Sequence, residues 1–170
     1  MGEKKRPGIA TLLIYLIGLS GVAGGLSGWI HASGAMAWLT SLEAPNWAPA
    51  YSLLNLVGLA VPLFTMISLW IVQRCSPNGM RLAATVMIAL LLFGMLGQVI
   101  AFFALRDVTL GFLIALALWV FALFAVWVAG RACKPAGVLM WVPYAWLTFL
   151  LVLGFELMRL NNGASYAGGL

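Results

Sequence analysis

Charged residues are scarce in this chain of 170 residues. Lysine, arginine, aspartate and glutamate together make up 8% of it, with nine basic and four acidic residues. A soluble domain carries about 25% charged residues to cover its surface, whereas this chain has a mean hydropathy of +1.08. We therefore expect an all-α integral membrane protein, because helices satisfy their own backbone hydrogen bonds in a lipid bilayer.

The same scarcity argues against several kinds of chemistry. Cys75 and Cys133 have neither CxxC spacing nor a nearby histidine, so the sequence predicts no metal or redox site. It contains no Ser-His-Asp set, no pair of carboxylates within an apolar segment and no phosphate-binding loop, so we expect neither an enzyme nor a resident cofactor. The basic residues are spread between apolar segments, which argues against nucleic acid as a partner.

Long apolar segments are what the sequence has in abundance. The first, 9–30, would reach about 33 Å as a helix, enough for a hydrocarbon core of about 30 Å and too long for the apolar region of a signal peptide. The chain as a whole, 1–170, is predicted to be a single membrane domain, a bundle of five transmembrane helices. The predicted spans are 9–30, 48–73, 82–105, 108–130 and 137–158, with a long loop at 31–47.

The basic residues are distributed unevenly between the two ends of these spans. Seven fall at one end: Lys4, Lys5, Arg6, Arg74, Arg81, Arg131 and Lys134. Only Arg106 and Arg159 fall at the other, so the positive-inside rule predicts a cytoplasmic N terminus, with the loop and the C terminus outside. As a separate expectation, the membrane would be the inner membrane of a bacterium. Cys75 and Cys133 would then be free thiols on the reducing side.

The first span is rich in small residues. Gly21 and Gly25, and likewise Gly24 and Gly28, are four residues apart, a spacing that lets a second helix approach closely. Two interpretations follow, packing within the monomer or the seam of a homodimer. We favour packing within the monomer, because a five-helix protein also needs close internal contacts.

Polar and aromatic side chains within this apolar chain are the candidates for a binding site. His31 is interpreted as an interfacial hydrogen-bonding residue at a helix end, and Trp38 and Trp47 lie in the predicted loop. Gln98 should face other helices, since an amide exposed to lipid is costly. Glu156 and Arg159, three residues apart, can form an ion pair on one helix face.

Two motifs resemble those of a known family. Trp38 is followed by Leu42 and then by Pro45-Asn46-Trp47-Ala48-Pro49, similar to the W-Y-x-x-L-x-K-P-x-W-x-P-P loop of the TspO/MBR family, the tryptophan-rich sensory proteins and peripheral benzodiazepine receptors. The segment 143–149 and the ending Arg159-Leu160-Asn161 resemble the P-Y-L-x-W-x-x-F motif of the family and its terminal R-x-N. The likeness covers nearly the whole chain.

The chain departs from the family mainly at pocket positions. Family tryptophans are replaced by Ser52, Gly58, Leu96 and Gln98, and other polar or aromatic family residues by Ala44, Pro62, Leu91, Met95 and Gly154. The forward sterol motif is missing, because no basic residue follows Tyr144 before Arg159. The reversed motif fits Arg106, Phe112 and Leu116, but this pattern has low specificity and we predict no sterol site.

The resemblance implies a membrane protein of sensory or translocator type. Members of the family bind porphyrins and other tetrapyrroles, so the resemblance implies an aromatic ligand between spans one, two, three and five. The residues that would bind it are Trp38, Trp47, Asn55, Gln98, Tyr144 and Trp146. The alternative is a structural or assembly subunit of a larger membrane complex, in which the pocket is degenerate.

Overall fold

The computed structural model describes residues 7–75 and 79–162, and all the regular structure in these ranges is helical. The helices are α1 (Ile9–Ala32), α2 (Ala35–Ser41), α3 (Tyr51–Arg74), α4 (Gly79–Leu105), α5 (Val108–Ala132), α6 (Lys134–Leu139) and α7 (Trp141–Asn162). Five helical stretches in these ranges are long and apolar enough to cross a membrane: α1, α3, α4, α5 and the continuous stretch of α6 and α7. The predicted all-α fold with five spans is confirmed.

The segment 31–47, which the sequence predicts to be a loop, is largely helical in the structure. His31 belongs to the last turn of α1, where its Nδ1 lies 2.8 Å from the carbonyl oxygen of Ser27. Gly34 then adopts φ +72°, a left-handed conformation that glycine tolerates, and this allows the chain to turn and start α2. The expectation of an irregular loop is therefore corrected to the shorter segment 42–50. Residues 1–6, which include Lys4, Lys5 and Arg6, and residues 76–78 and 163–170 lie outside the described residues.

Four of the long helices surround the core. Helix α3 contacts α4, α4 contacts α5, α5 contacts α7, and α7 returns to α3. The largest fully buried side chains include Ile88, Leu91, Met140 and Leu147. Alanines on α5 are buried against these neighbours, and their small side chains let the helices approach closely, as packing in lipid requires.

Helix α1 lies outside this ring, against α3 and α2. Hydrogen bonds near its start tie it to α3: the Tyr15 hydroxyl donates to Gln73 Oε1 at 3.3 Å, and Trp70 Nε1 donates to the Gly8 carbonyl at 3.1 Å. A Cβ added at the glycines of α1 would meet no atom of the described residues within 4 Å; these are Gly18, Gly21, Gly24, Gly25 and Gly28. Our interpretation that they pack within the monomer is therefore wrong, because α1 turns other residues towards α3.

Polar contacts fix the short connections at the end of the bundle where α1 and α4 end and α5 begins. Arg106 has φ +52° in the two-residue turn between α4 and α5, and Asp107 caps α5 by accepting a hydrogen bond from the Leu110 N–H at 3.0 Å. The Arg106 guanidinium donates to the Ser33 carbonyl at 2.7 Å. This bond joins the α4–α5 turn to the connection between α1 and α2.

The two cysteines form a disulfide in the structure. Cys75 follows α3 and Cys133 lies between α5 and α6, with Cα atoms 6.1 Å apart, within the usual range for a disulfide. The prediction of free thiols is wrong. Packing of α6 on α3 is the physical reason, since Ser68 Oγ donates to the Ala136 carbonyl at 3.0 Å and brings the two segments together.

Helices α5 and α6 approach closely at Gly137, and this contact gives a testable prediction. A Cβ at Gly137 would overlap the backbone of Gly130 on α5, which cannot easily yield. We expect Gly137→Ala to destabilise the protein by about 1–3 kcal/mol through overpacking and to lower its Tm in detergent. Gly24→Ala on the open face of α1 is the matched control. Equal Tm values for the two variants would contradict the packing of α6 on α5.

Candidate functional site

The segment 42–50 is held against the end of α7 by one side chain. Asn161 Oδ1 accepts a hydrogen bond from the Glu43 N–H at 3.0 Å, while Asn161 Nδ2 donates to the Glu43 carbonyl at 3.0 Å. Asn161 Nδ2 also lies 2.9 Å from the carbonyl of Leu157, one turn earlier in α7. A single carboxamide therefore satisfies both backbone groups of a residue in the segment, and its own position is fixed by the helix.

A cavity of about 280 Å³ lies beside this contact. Its walls come from the segment and from the last turns of α7: Glu43, Ala44, Pro45, Asn46, Trp47, Glu156, Arg159 and Leu160. Arg159 Nη2 lies 2.6 Å from Glu156 Oε2, which confirms the ion pair that the sequence predicts. The Arg159 side chain remains 62% exposed, so its other donors reach solvent at the rim of the cavity.

A row of aromatic rings runs from the cavity into the bundle. Trp47, which is 49% exposed, meets Phe149 edge to face with ring centroids 6.3 Å apart. Phe149 stacks on Trp146 at 5.3 Å. Trp146 in turn lies against α3 at Gly58, where an added Cβ would be 3.8 Å from the indole. The structure thus joins two predicted site residues through Phe149, which we did not predict.

Phe149 could have been found from helical spacing. It follows Trp146 by three residues, so the two rings lie on one face of α7. Tyr144 precedes Trp146 by two residues, which turns it about 200° around the helix. Its ring stacks on Trp119 of α5 at 5.7 Å. The Trp119 indole donates to Thr148 Oγ1 at 2.9 Å. Tyr144 therefore lies between α5 and α7, apart from the aromatic row.

The remaining predicted site residues lie elsewhere along α2, α3 and α4. Trp38 packs on Phe102 with ring centroids 5.1 Å apart, which fixes α2 to the end of α4. Gln98 is half-buried one turn before Phe102, and Asn55 is exposed near the start of α3. None of Trp38, Asn55 and Gln98 lines the cavity beside Trp47.

Comparison with known proteins identifies one family. The family model of the TspO/MBR family matches residues 10–160. This range contains the five spans except for Ile9 and Asn161 at their outer ends, and it includes the segment 42–50. No curated protein matches the chain.

The contact between Asn161 and Glu43 can be tested directly. Asn161→Ala removes the acceptor of the Glu43 N–H and the donor to its carbonyl, each worth about 1 kcal/mol. We expect amide hydrogen exchange in the segment 42–50 to become about tenfold faster or more, because each 1.4 kcal/mol is a factor of ten.

Asn55→Ala is the matched control for this experiment. Asn55 is exposed, and its amide makes no hydrogen bond to any residue that the structure describes. Exchange in the segment should be unchanged in that variant. If Asn161→Ala also left exchange unchanged, contacts other than the carboxamide would hold the segment.

Proposed function

The chain belongs to the TspO/MBR family, and from this premise we propose that it binds a flat aromatic ligand, a porphyrin or another tetrapyrrole, beneath the segment 42–50. The family suggests a membrane protein of sensory or translocator type. Such a protein would recognise its ligand beneath this segment. The observation that carries the proposal is the location of Trp47. Its side chain lines the cavity and is also the first ring of the aromatic row.

The chemistry of this region suits such a ligand. Aromatic pairs contribute about 0.5–1.5 kcal/mol beyond the area that they bury, and Trp47 and Phe149 offer two rings to a planar macrocycle. Arg159 at the rim can donate to a carboxylate, and tetrapyrroles such as protoporphyrin carry carboxylates at their edge. Apolar stacking and one cation together favour a flat anionic ligand over a neutral sterol.

We infer that the cavity widens when such a ligand binds. Its volume of about 280 Å³ lies below the roughly 300–1,000 Å³ typical of ligand pockets. Trp47 is the wall that can move, because its ring is half exposed and contacts Phe149 only at an edge. Asn161 would keep the segment anchored at Glu43 while the indole rotates.

Removing Trp47 tests the proposal. Trp47→Ala loses stacking area, so we expect its affinity for protoporphyrin to fall by about 1–3 kcal/mol, a factor of roughly 5–150 in Kd. The measurement is quenching of intrinsic tryptophan fluorescence in detergent. Trp127→Ala is the matched control, since it removes one tryptophan of similar exposure, 56%, that lies near Arg131 on α5. Equal affinities of the two variants, or no quenching of the parent protein at high micromolar porphyrin, would refute the ligand proposal.

A second function is favoured by the position of α1. Only Leu19 and Ile30 of this helix are buried, and a Cβ added on its glycine face would meet none of the residues that the structure describes within 4 Å. A structural subunit of a larger membrane complex, or of a homodimer, would use such a face for close helix contact. Native mass spectrometry of the solubilised protein distinguishes a structural subunit from a ligand-binding protein. Detection of a monomer that binds porphyrin would exclude the subunit role.

We also propose an orientation, with the N terminus in the cytoplasm of a bacterium. Among the described residues, the end that holds the disulfide carries Arg74, Arg81, Arg131 and Lys134 and no carboxylate, while the acidic residues lie at the opposite end. The positive-inside rule then assigns the disulfide end to the cytoplasm. Disulfides persist mainly in oxidising compartments, so the disulfide favours the outside for this end of the protein, whereas its basic residues favour the cytoplasm.

Thiol labelling tests the orientation and the disulfide together. In intact cells treated with a membrane-impermeant reductant, an impermeant maleimide should label neither Cys75 nor Cys133, because the cytoplasmic side is out of reach. After the membrane is opened, both should react, and only when the reductant is present. Labelling in intact cells would mean that the disulfide end lies outside, opposite to the proposed orientation. Labelling of opened membranes without reductant would show that the thiols are free in the cell.

A further inference from the structure

A second cavity, of about 540 Å³, lies at the disulfide end of the molecule, away from Trp47. It occupies the gap between the first turns of α1, the end of α3 and the start of α4. Its walls include Thr11, Tyr15, Gln73, Arg81, Leu82 and Thr85. Polar side chains from three helices therefore converge on one gap in a chain that has few polar side chains.

The polar groups of this cavity are only partly used within the protein. The Tyr15 hydroxyl donates to Gln73 Oε1 at 3.3 Å, and the Gln73 NH₂ group has no acceptor in the described ranges 7–75 and 79–162. Arg81 Nη1 makes a long hydrogen bond of 3.3 Å to the Cys75 carbonyl. The other guanidinium donors of Arg81 have no acceptor among the residues that the structure describes. Among the described residues, Gln73 and Arg81 therefore keep N–H donors without an acceptor, and both side chains line the cavity.

The charge of this end favours an anion in the cavity. Two other cations here are already engaged, with the Arg74 guanidinium 4.6 Å from the Trp70 ring centroid and that of Arg131 5.1 Å from the Trp127 ring centroid. In the described part of the chain, Arg81 faces no carboxylate from α1, α3 or α4, since these helices contain none. A buried or half-buried cation without a counter-ion attracts an anionic partner.

The walls of the cavity also continue into surfaces that face lipid. Leu82, on α4, is 74% exposed, and the neighbouring face of α1 exposes Ile14 by 67%. Thr11 and Thr85 lie one helical turn deeper than Pro7 and Arg81, or about 6 Å. A ligand that places its anion at Arg81 would extend its apolar part along these two helices.

We propose that the gap between α1 and α4 binds the phosphate headgroup of an anionic phospholipid, with Arg81 and Gln73 donating to the phosphate oxygens. The acyl chains lie along the exposed faces of α1 and α4. Basic pockets between membrane helices at the cytoplasmic surface are suited to such headgroups. The site lies apart from the aromatic row, so it does not depend on the ligand proposed for Trp47.

Native mass spectrometry of the full chain in detergent tests the proposal, with phosphatidylglycerol and phosphatidylcholine of identical acyl chains as probes. We expect the parent protein to prefer phosphatidylglycerol about tenfold or more, as hydrogen bonds to a charged group suggest. Arg81→Gln should lose this preference. Arg131→Gln, which removes the same charge near the same end, should keep it. Retention by Arg81→Gln, or equal loss in both variants, would overturn the site.

Two further arms complete the experiment. Inorganic phosphate and glycerophosphoglycerol, which lacks acyl chains, should not displace the lipid at equal concentration; displacement by either would mean that the site takes a soluble phosphate. Thr11→Phe keeps Arg81 and narrows the gap from α1, so it should also weaken lipid binding. If circular dichroism shows that Arg81→Gln has lost helicity, Thr11→Phe decides whether the gap binds the lipid. Unchanged lipid binding by Thr11→Phe would refute the proposal.

Discussion

Hydrocarbon offers no partner to a peptide N–H or carbonyl, and the whole structure follows from that constraint. Each span satisfies its backbone within its own helix, so specific polar contacts between helices are confined mostly to the helix ends. Arg106 bonds to the Ser33 carbonyl at one end, and Tyr15 bonds to Gln73 at the other. Between these ends, dispersion between closely packed small and branched side chains holds the helices together.

Small residues have opposite roles in different helices. On α5 and α6 they permit close contact, as at Gly130 and Gly137, whose backbones touch. On α1 the glycines face open space within the described part of the chain, and the helix is tied to the bundle mainly near its ends. A sequence pattern such as glycine at every fourth position therefore specifies that a face can be approached closely. It does not specify which helix approaches it, because that depends on the rotation of each helix about its axis.

Much of the fold could be predicted from the sequence, since long uncharged segments bounded by charges define membrane spans almost independently of tertiary contacts. Features that depend on contacts distant in sequence could not. The disulfide required α6 to pack on α3, and α2 required the left-handed turn at Gly34. At the candidate site, motif matching selected Trp47 and Trp146 and also Tyr144, but only helical geometry shows that Tyr144 turns towards α5.

The hydrogen bonds between α7 and the segment 42–50 constrain the residue types at positions 161 and 43 differently. Asn161 contributes its side chain, and a carboxamide of that length is needed to reach an N–H and a carbonyl at once. Residue 43 contributes only backbone groups, which every amino acid except proline supplies. Evolution is therefore free to change the charge of position 43, and with it the electrostatic character of the cavity mouth, without loosening the segment. The charge at the cavity mouth can change while the position of the segment stays constant.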